Sequence, residues 1–499
     1  MLSLDQFIQK VNHSTYKLDL SGVVGMLGGN NAVDALETIH LYRGRKWAGW
    51  YNYPGTVTVA KRFGQMADSR VWNSLFPGPN ESPAVTLNLA GKPGPRYNAA
   101  LSGTKLDQTK HLGHLIAQEC AKCHGKELHL SDKFGREARK TGSCAAVTVI
   151  SLPPHHHNNI SRSLTTISGV DAKKKHEHIL VNPKSDPLAL WAIIPSLVSI
   201  LACAFCVLGR DFLCASLLLL GIICSGISSI TFGTATLKIR VPVPSPASPP
   251  GDGLLLPADG SVIVLKGQEA DVNIITKGEF ELDYSNGILP HRKHHMIGVC
   301  SLLLMTQFLV QLLLIPLCTF FGQIMYLLSF IASGVYHLYV VSRERDKVQR
   351  ELLLQKLSPQ MDKWTLGTRT QMAVLVCLVL GDRGQHSRTK PEEILKCIIP
   401  NHTPLWEHWR RKVLKELALF WKSESLSYQP SIQAEPEGQT EINEYNDLAD
   451  EDKRLLQHLV DDAWCVFNKY LQWRDSEAEV RRERVPEEKS RLLAAICLV

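Results

Sequence analysis

Two long apolar blocks set the hydrophobic pattern of this chain. The first contains "PLALWAIIPSLVSILACAFCVLG", about 23 uncharged residues from Pro187, and "FLCASLLLLGIICSGISSITF", about 21 from Phe212, with only Arg210-Asp211 between them. A helix of roughly 20 apolar residues crosses a hydrocarbon core about 30 Å thick, so the pair predicts a tight helical hairpin. The second block, Met296 to Val341, lacks Asp, Glu, Lys and Arg altogether. As one helix it would be roughly 69 Å long, more than twice the core, so a fold-back is expected near Pro316 to Gly322.

The pattern is mixed on either side of these blocks. Residues 1–152 offer a candidate helix, "NNAVDALETIHLYRG", and candidate strands, "GTVTVAKRF" and "SCAAVTVISL", between Gly and Pro turns; these predict a small α+β domain. A His-, Ser- and Lys-rich tether is expected over 153–186. After the hairpin at 187–232, residues 233–295 begin as a Pro-rich extended stretch and continue as "SVIVL", "DVNIIT" and "EFELDY" between Gly turns, a small β-rich domain. Beyond the hairpin at 296–341, residues 342–423 read as helices. "SRERDKVQRELLLQKL" can extend the fourth membrane helix. "TPLWEHWRRKVLKELALFWKS" starts at Thr403, a fair N-cap, and repeats Trp406, Trp409, Val413, Leu417 and Phe420 on one face, with Arg410, Arg411, Lys412 and Lys415 facing away. Such a helix lies on a membrane surface or packs on a soluble domain. An acidic linker, 424–448, leads to a C-terminal amphipathic helix and tail, 449–499, whose Leu455, Leu459, Trp464, Phe467 and Leu471 are available to a partner. The fold class expected is an α-helical integral membrane protein. It has two transmembrane hairpins and four spans, an α+β N-terminal cytosolic domain, a small β-rich loop domain and a helical C-terminal region.

Charge adds orientation. The net charge of +7 is carried by residues 1–186, with 23 Lys and Arg against 14 Asp and Glu. Asp5 and Lys10 interrupt the N-terminus where a signal peptide would be apolar, so no cleaved signal is expected. Two hairpins place both termini and the central loop on one side. That side carries Lys173, Lys174, Lys175, Lys184, Lys238, Arg240, Arg292, Lys293, Arg343, Arg345, Lys347 and Arg350 near the membrane, against Arg210 alone on the other. Positive flanks stay cytoplasmic, which predicts a multi-pass protein with both termini cytosolic. The expected partners are the lipid bilayer, anionic headgroups beside the basic flanks and protein partners the sequence does not name; nucleic acid is not among them.

Candidate chemistry is sparse. Cys120-Ala-Lys-Cys123-His124 matches the attachment pattern of c-type haem, but that chemistry belongs to the outer face of energy-transducing membranes and the charge pattern keeps the segment inside. Zinc suits a reducing compartment better: Cys120, Cys123 and Cys144, with a fourth ligand from His124, His129 or His155 to His157. Two reduced, unliganded cysteines are the plain alternative. Cys203-Ala-Phe-Cys206 lies within a membrane helix, where cysteine usually packs as a small apolar residue. Gln307 and Gln311 share a helix face and, with Gln323 and His337, either line a path or hydrogen-bond between helices. Trp47, Trp50, Tyr51 and Tyr53 stack on a ligand or form core.

"PADG" at 257–260 and "TKGE" at 276–279 resemble fragments of the P-type ATPase actuator domain. That family requires Asp-Lys-Thr-Gly, whereas the Lys-Thr-Gly here follows Arg139. In layout, and in "IHLYRGRKWAGWYNYPG" and "GLLLPADGSVIVLKGQEADVNIITKGEFELDY", the chain resembles multi-pass membrane proteins of mushroom-forming (basidiomycete) fungi. The resemblance implies a membrane protein and brings no mechanism. No nucleophile elbow, phosphate-binding Gly loop, His-Glu-x-x-His or paired-carboxylate motif occurs, so no catalytic residue is nominated. The expectation is a non-enzymatic scaffold or regulator of a membrane complex, with a small-solute transporter or channel and a metal or haem redox protein as alternatives.

Overall fold

The computed structural model describes residues 30–53, 56–67, 69–78, 83–127, 145–153, 176–245, 247–284, 293–381, 390–422, 430–433 and 448–496. Helices α1 (Asn30–Glu37) and α2 (Thr56–Gly64) come first, followed by strands β1 (Arg96–Ala99) and β2 (Lys105–Leu106). Helix α3 (His111–Lys122) leads to β3 (Lys126–Glu127), β4 (Ala145–Ser151) and β5 (His176–Leu180). Helices α4 (Leu188–Leu208) and α5 (Phe212–Phe232) form the first hairpin. The loop after it carries β6 (Thr236–Pro242), β7 (Gly253–Leu256), β8 (Val262–Lys266), α6 (Glu269–Thr276) and β9 (Glu279–Asp283). The second hairpin is α7 (His295–Leu317) and α8 (Phe320–Val341). Helix α9 (Arg345–Leu357), strand β10 (Gln360–Leu366) and helices α10 (Arg369–Gly381), α11 (Pro391–Ile398), α12 (Pro404–Lys422) and α13 (Asp450–Ile496) complete the chain.

The four hairpin helices are each long and apolar enough to cross a membrane. The outer face of α4 exposes Leu190, Ile194, Leu197, Leu201 and Leu208, an apolar stripe suited to lipid. The second block turns back at Cys318-Thr319, inside the expected interval, with the Thr319 side chain capping α8.

A seven-stranded sheet, in the order β2-β1-β7-β8-β4-β10-β3, draws its strands from three chain segments that both hairpins interrupt. β4 pairs in parallel with β8 and antiparallel with β10. The segment boundaries read from the sequence therefore mark where the chain crosses between layers, and the sheet spans them. Side-chain alternation sends the two faces of the sheet into different core clusters. Val147, Val149, Val262 and Val264 face α10, α12 and α13. Ile150, Ile263 and Leu265 face the other way, into a cluster that continues through Leu112, Leu115 and Leu353 to Phe63, Phe232, Leu304 and Tyr336. One core thus runs from the sheet into the near ends of the membrane-length helices, and a third cluster, with Cys206, Leu218, Ile315 and Phe330, fills their turn ends. A second sheet, β5-β6-β9, contributes Leu237, Ile239 and Val241 to it.

Several expectations need correction. "GTVTVAKRF" forms helix α2, because Val59, Ala60 and Phe63 fall on one helical face against α7 and this packing overrides β-branched preference. "DVNIIT" is helix α6, buried from Asp271 to Thr276; a short apolar run has no period to distinguish strand from helix. Of the expected tether, residues 176–180 form β5, while 154–175 lie outside the described residues. α9 is separate from α8, broken over 342–344, and packs on α3. α12 buries Trp409, Val413 and Leu417 against the soluble part, and Trp409 Nε1 donates to Leu459 O at 3.0 Å. Its Arg410 and Lys412 are buried too, with Arg410 donating to Asn401 O at 2.9 Å.

Candidate functional site in the helical bundle

A loop from the N-terminal segment enters the bundle. Its root is Arg45, whose buried guanidinium donates to Thr38 Oγ1 and Ala35 O at the C-terminal end of α1, where a cation offsets exposed carbonyls. Residues 48–53 then run against α5. That helix presents Gly221, Ser225, Ser228 and Ser229, a small-residue seam that admits another backbone. Ser225 Oγ donates to Gly49 O at 2.7 Å. A Cβ on Gly49 would lie 2.2 Å from Ser229 Cβ, so only glycine fits.

The next three residues carry the loop's polar contacts. The Tyr51 hydroxyl meets His337 Nε2 at 3.0 Å. Asn52 is fully buried, and its N–H donates to Ser199 Oγ at 3.1 Å, itself 2.8 Å from Ser329 Oγ. Tyr53 donates to Ala32 O at 2.7 Å. Tyr51, Tyr53, Tyr336 and His337 pack as one aromatic cluster, with Tyr53 and His337 centroids 4.5 Å apart. Of the four aromatics singled out in the sequence, Tyr51 and Tyr53 are core. Trp47 and Trp50 remain exposed, as rings at a membrane–water boundary do.

A second polar layer lies below. Gln311 Nε2 donates to Leu217 O at 3.1 Å, and Gln311 Oε1 accepts from Gln307 at 3.3 Å and from the Tyr326 hydroxyl at 3.2 Å. Gly221 makes room for this layer: a Cβ there would lie 2.4 Å from Asn52 Oδ1 and 2.9 Å from Gln311 Nε2. Gln323 donates to Ile315 O and Cys318 O, fixing the turn. The structure thus brings Gln307 and Gln311 together, joins His337 to the loop and assigns Gln323 to the fold-back. The cavity between loop and helices, lined by Arg45, Gly49, Tyr51, Ser225, Ser228 and His337, has about 20 Å³ open to the centre of a water molecule, room for about one.

The cysteine motif lies elsewhere. Cys120 is in the last turn of α3, where burial pushes its thiol up to about 12. Cys123 follows the helix, half-buried, and His124 is exposed; Cys144 lies outside the described residues. Lys363 Nζ donates to Cys120 O at 2.7 Å and Cys123 O at 2.9 Å, closing the helix end onto β10. Among the described residues, the set of three ligand-type side chains gathered in one place is a different one: Asp211, Cys214 and Cys318.

The basic flanks are partly engaged within the fold. Arg345 pairs with Glu37 at 2.5 Å, Arg350 with Glu119 at 2.8 Å and Lys184 with Glu351 at 2.5 Å. Burial nevertheless raises the Glu37 carboxyl to about 7, with Arg345 opposing. Compared with protein families, curated proteins and solved structures, the chain matches none of them.

Proposed function

We propose that the protein is a four-span, non-enzymatic membrane scaffold or regulator that holds cytosolic partners at a fixed position relative to the bilayer. The observation that carries this is the core shared by the sheet and the adjoining ends of the membrane-length helices. Both hairpins are insertions into one sheet-centred fold, and residues 48–53 fill the bundle where a solute path would run. A body built this way transmits position rather than solute. The soluble mass and both termini face the cytosol, supported by basic residues at the ends of the helices on that side and by Arg210 alone at the turns. Flank cations without an internal partner contact anionic headgroups. The α12–α13 layer offers the outer surface to protein partners.

A transporter is the second reading, favoured by the buried amides of Gln307, Gln311 and Asn52 inside the bundle. Crosslinking in native membranes followed by purification is expected to recover a stoichiometric protein partner, while reconstituted vesicles show no solute flux above protein-free controls. Flux without a partner would reverse the choice.

A further inference from the structure

The turn ends of the two hairpins meet at one carboxylate. Asp211 Oδ1 accepts from Cys214 N–H at 3.0 Å, and Oδ2 accepts from Thr319 N–H at 2.8 Å and Thr319 Oγ1 at 2.7 Å. The Asp211 N–H donates to Cys206 O at 2.9 Å, tying the turn to the end of α4. Two thiols adjoin this carboxylate, and a third lies next to one of them. The ligand atoms of Asp211, Cys214 and Cys318 lie within 4.8 Å of one another, all buried. Cys206, fully buried near the end of α4, lies beside Cys214. The four groups come from the end of α4, the start of α5 and the residue before the α8 cap.

We propose that Cys206, Cys214, Cys318 and Asp211 form a zinc site that clamps the two hairpins together at their turn end. Three sulfurs and one carboxylate oxygen are a tetrahedral Zn²⁺ donor set; a carboxylate suits Zn²⁺ better than Cu⁺, which prefers sulfur alone. With Zn–S near 2.3 Å, tetrahedral sulfurs sit roughly 3.8 Å apart, so Cys214 and Cys318, within 4.8 Å of each other, need only a small contraction, and the Cys206 side chain turns in to complete the set. Helices α5 and α8 both begin at the cluster, capped by Asp211 and Thr319, so two positive helix ends lie beside a bound anionic donor set. Cys214 Sγ donates to Gly322 O at 3.2 Å and Cys318 Sγ to Leu314 O at 3.5 Å. Zinc replaces each thiol proton, which passes to solvent, so affinity rises with pH. Scattered packing cysteines would not converge on a buried carboxylate from separate helices.

The test uses the purified full chain in detergent, loaded with Zn²⁺, freed of excess metal and assayed for bound zinc. The C120S/C123S chain is expected to keep one equivalent, which C214S and C318S, introduced into it, each abolish. C224S, at another buried thiol, leaves it in place. Zinc lost in C120S/C123S belongs instead to Cys120, Cys123 and Cys144. Co²⁺ added to the otherwise unsubstituted C120S/C123S chain gives a second readout that needs no change at the site: a thiolate-to-cobalt charge-transfer band is expected. Absence of that band, absence of zinc from C120S/C123S, or zinc retained by both C214S and C318S overturns the proposal.

Discussion

Replacing Gly49 by alanine tests whether the loop is locked into the bundle. The added Cβ would stand 2.2 Å from Ser229 Cβ and 2.5 Å from Ser229 Oγ. Carbon atoms in contact sit about 3.5–4.0 Å apart, so the loop and α5 must separate by more than about 1 Å. Overpacking costs about 1–3 kcal/mol. The obstacle here is a Cβ with no rotamer to change, and separation also stretches the Ser225–Gly49 hydrogen bond, a further loss of about 1 kcal/mol. G49A should therefore destabilise by about 3 kcal/mol. S229G removes both obstructing atoms and leaves Ser225 O at 3.4 Å, an ordinary contact. Alone it costs less than about 1 kcal/mol, the usual penalty for glycine in a helix. The double variant G49A/S229G should melt close to S229G, a coupling of at least about 2 kcal/mol. Thermal unfolding of the four purified full-length proteins in detergent, followed by tryptophan fluorescence, measures it. A G49A protein as stable as the parent, or strictly additive losses in the double variant, would refute the inserted loop.

Three further expectations concern other parts of the molecule. Asp462 accepts from Thr368 and Thr370 hydroxyls at 2.9 Å and from Gln371 Nε2 at 2.8 Å at the buried start of α10, so D462A strands these donors. It should lower stability by about 3 kcal/mol in the same melt, and a neutral outcome would remove Asp462 as the anchor. Burial raises Glu37 from 4.5 to about 7 and lowers His40 from 6.5 to about 4. The Glu37 contribution is full below pH 4.5 and lost as pH rises through 7. That of His40 is full above pH 6.5 and lost as pH falls through 4, so each spans about 3 kcal/mol and they oppose. E37Q should therefore lose stability between pH 7 and 4.5 relative to the parent, and parallel pH curves would contradict the assignment. Asn12, Asn80, Asn159 and Asn401 begin glycosylation sequons; no glycosidase-sensitive mass shift is expected, and one mapped to any of them would invert the orientation.

The four apolar helices were legible because length and composition are carried by each segment separately. The joining of three segments into one sheet was not, since pairing β4 with β8 and β10 leaves no local trace in any of them. "QMAVLVCLVLG" carried no amphipathic pattern because α10 is buried on every side. In the bundle, Gln307, Gln311 and His337 stood out as polar residues in apolar sequence, but their partners Asn52 and Tyr51 lie far along the chain. The small residues of "GIICSGISS" were the available signal that another backbone approaches α5. Asp211 stood only as a charge between two apolar runs, and Cys214 and Cys318 carried no motif of their own; only the meeting of two hairpin tips brings them together.

The interrupted sheet also imposes a schedule on biosynthesis. β4 ends at Ser151, and its neighbour β10 begins at Gln360. At about 5–20 residues per second, roughly 10–40 s of translation separate the two. During that interval both apolar hairpins are synthesised while a central strand, buried on both faces in the finished fold, waits with an open edge. Nascent chains stalled shortly before β10 hold that strand unpaired on one side, so the sheet closes only after both apolar hairpins have been made.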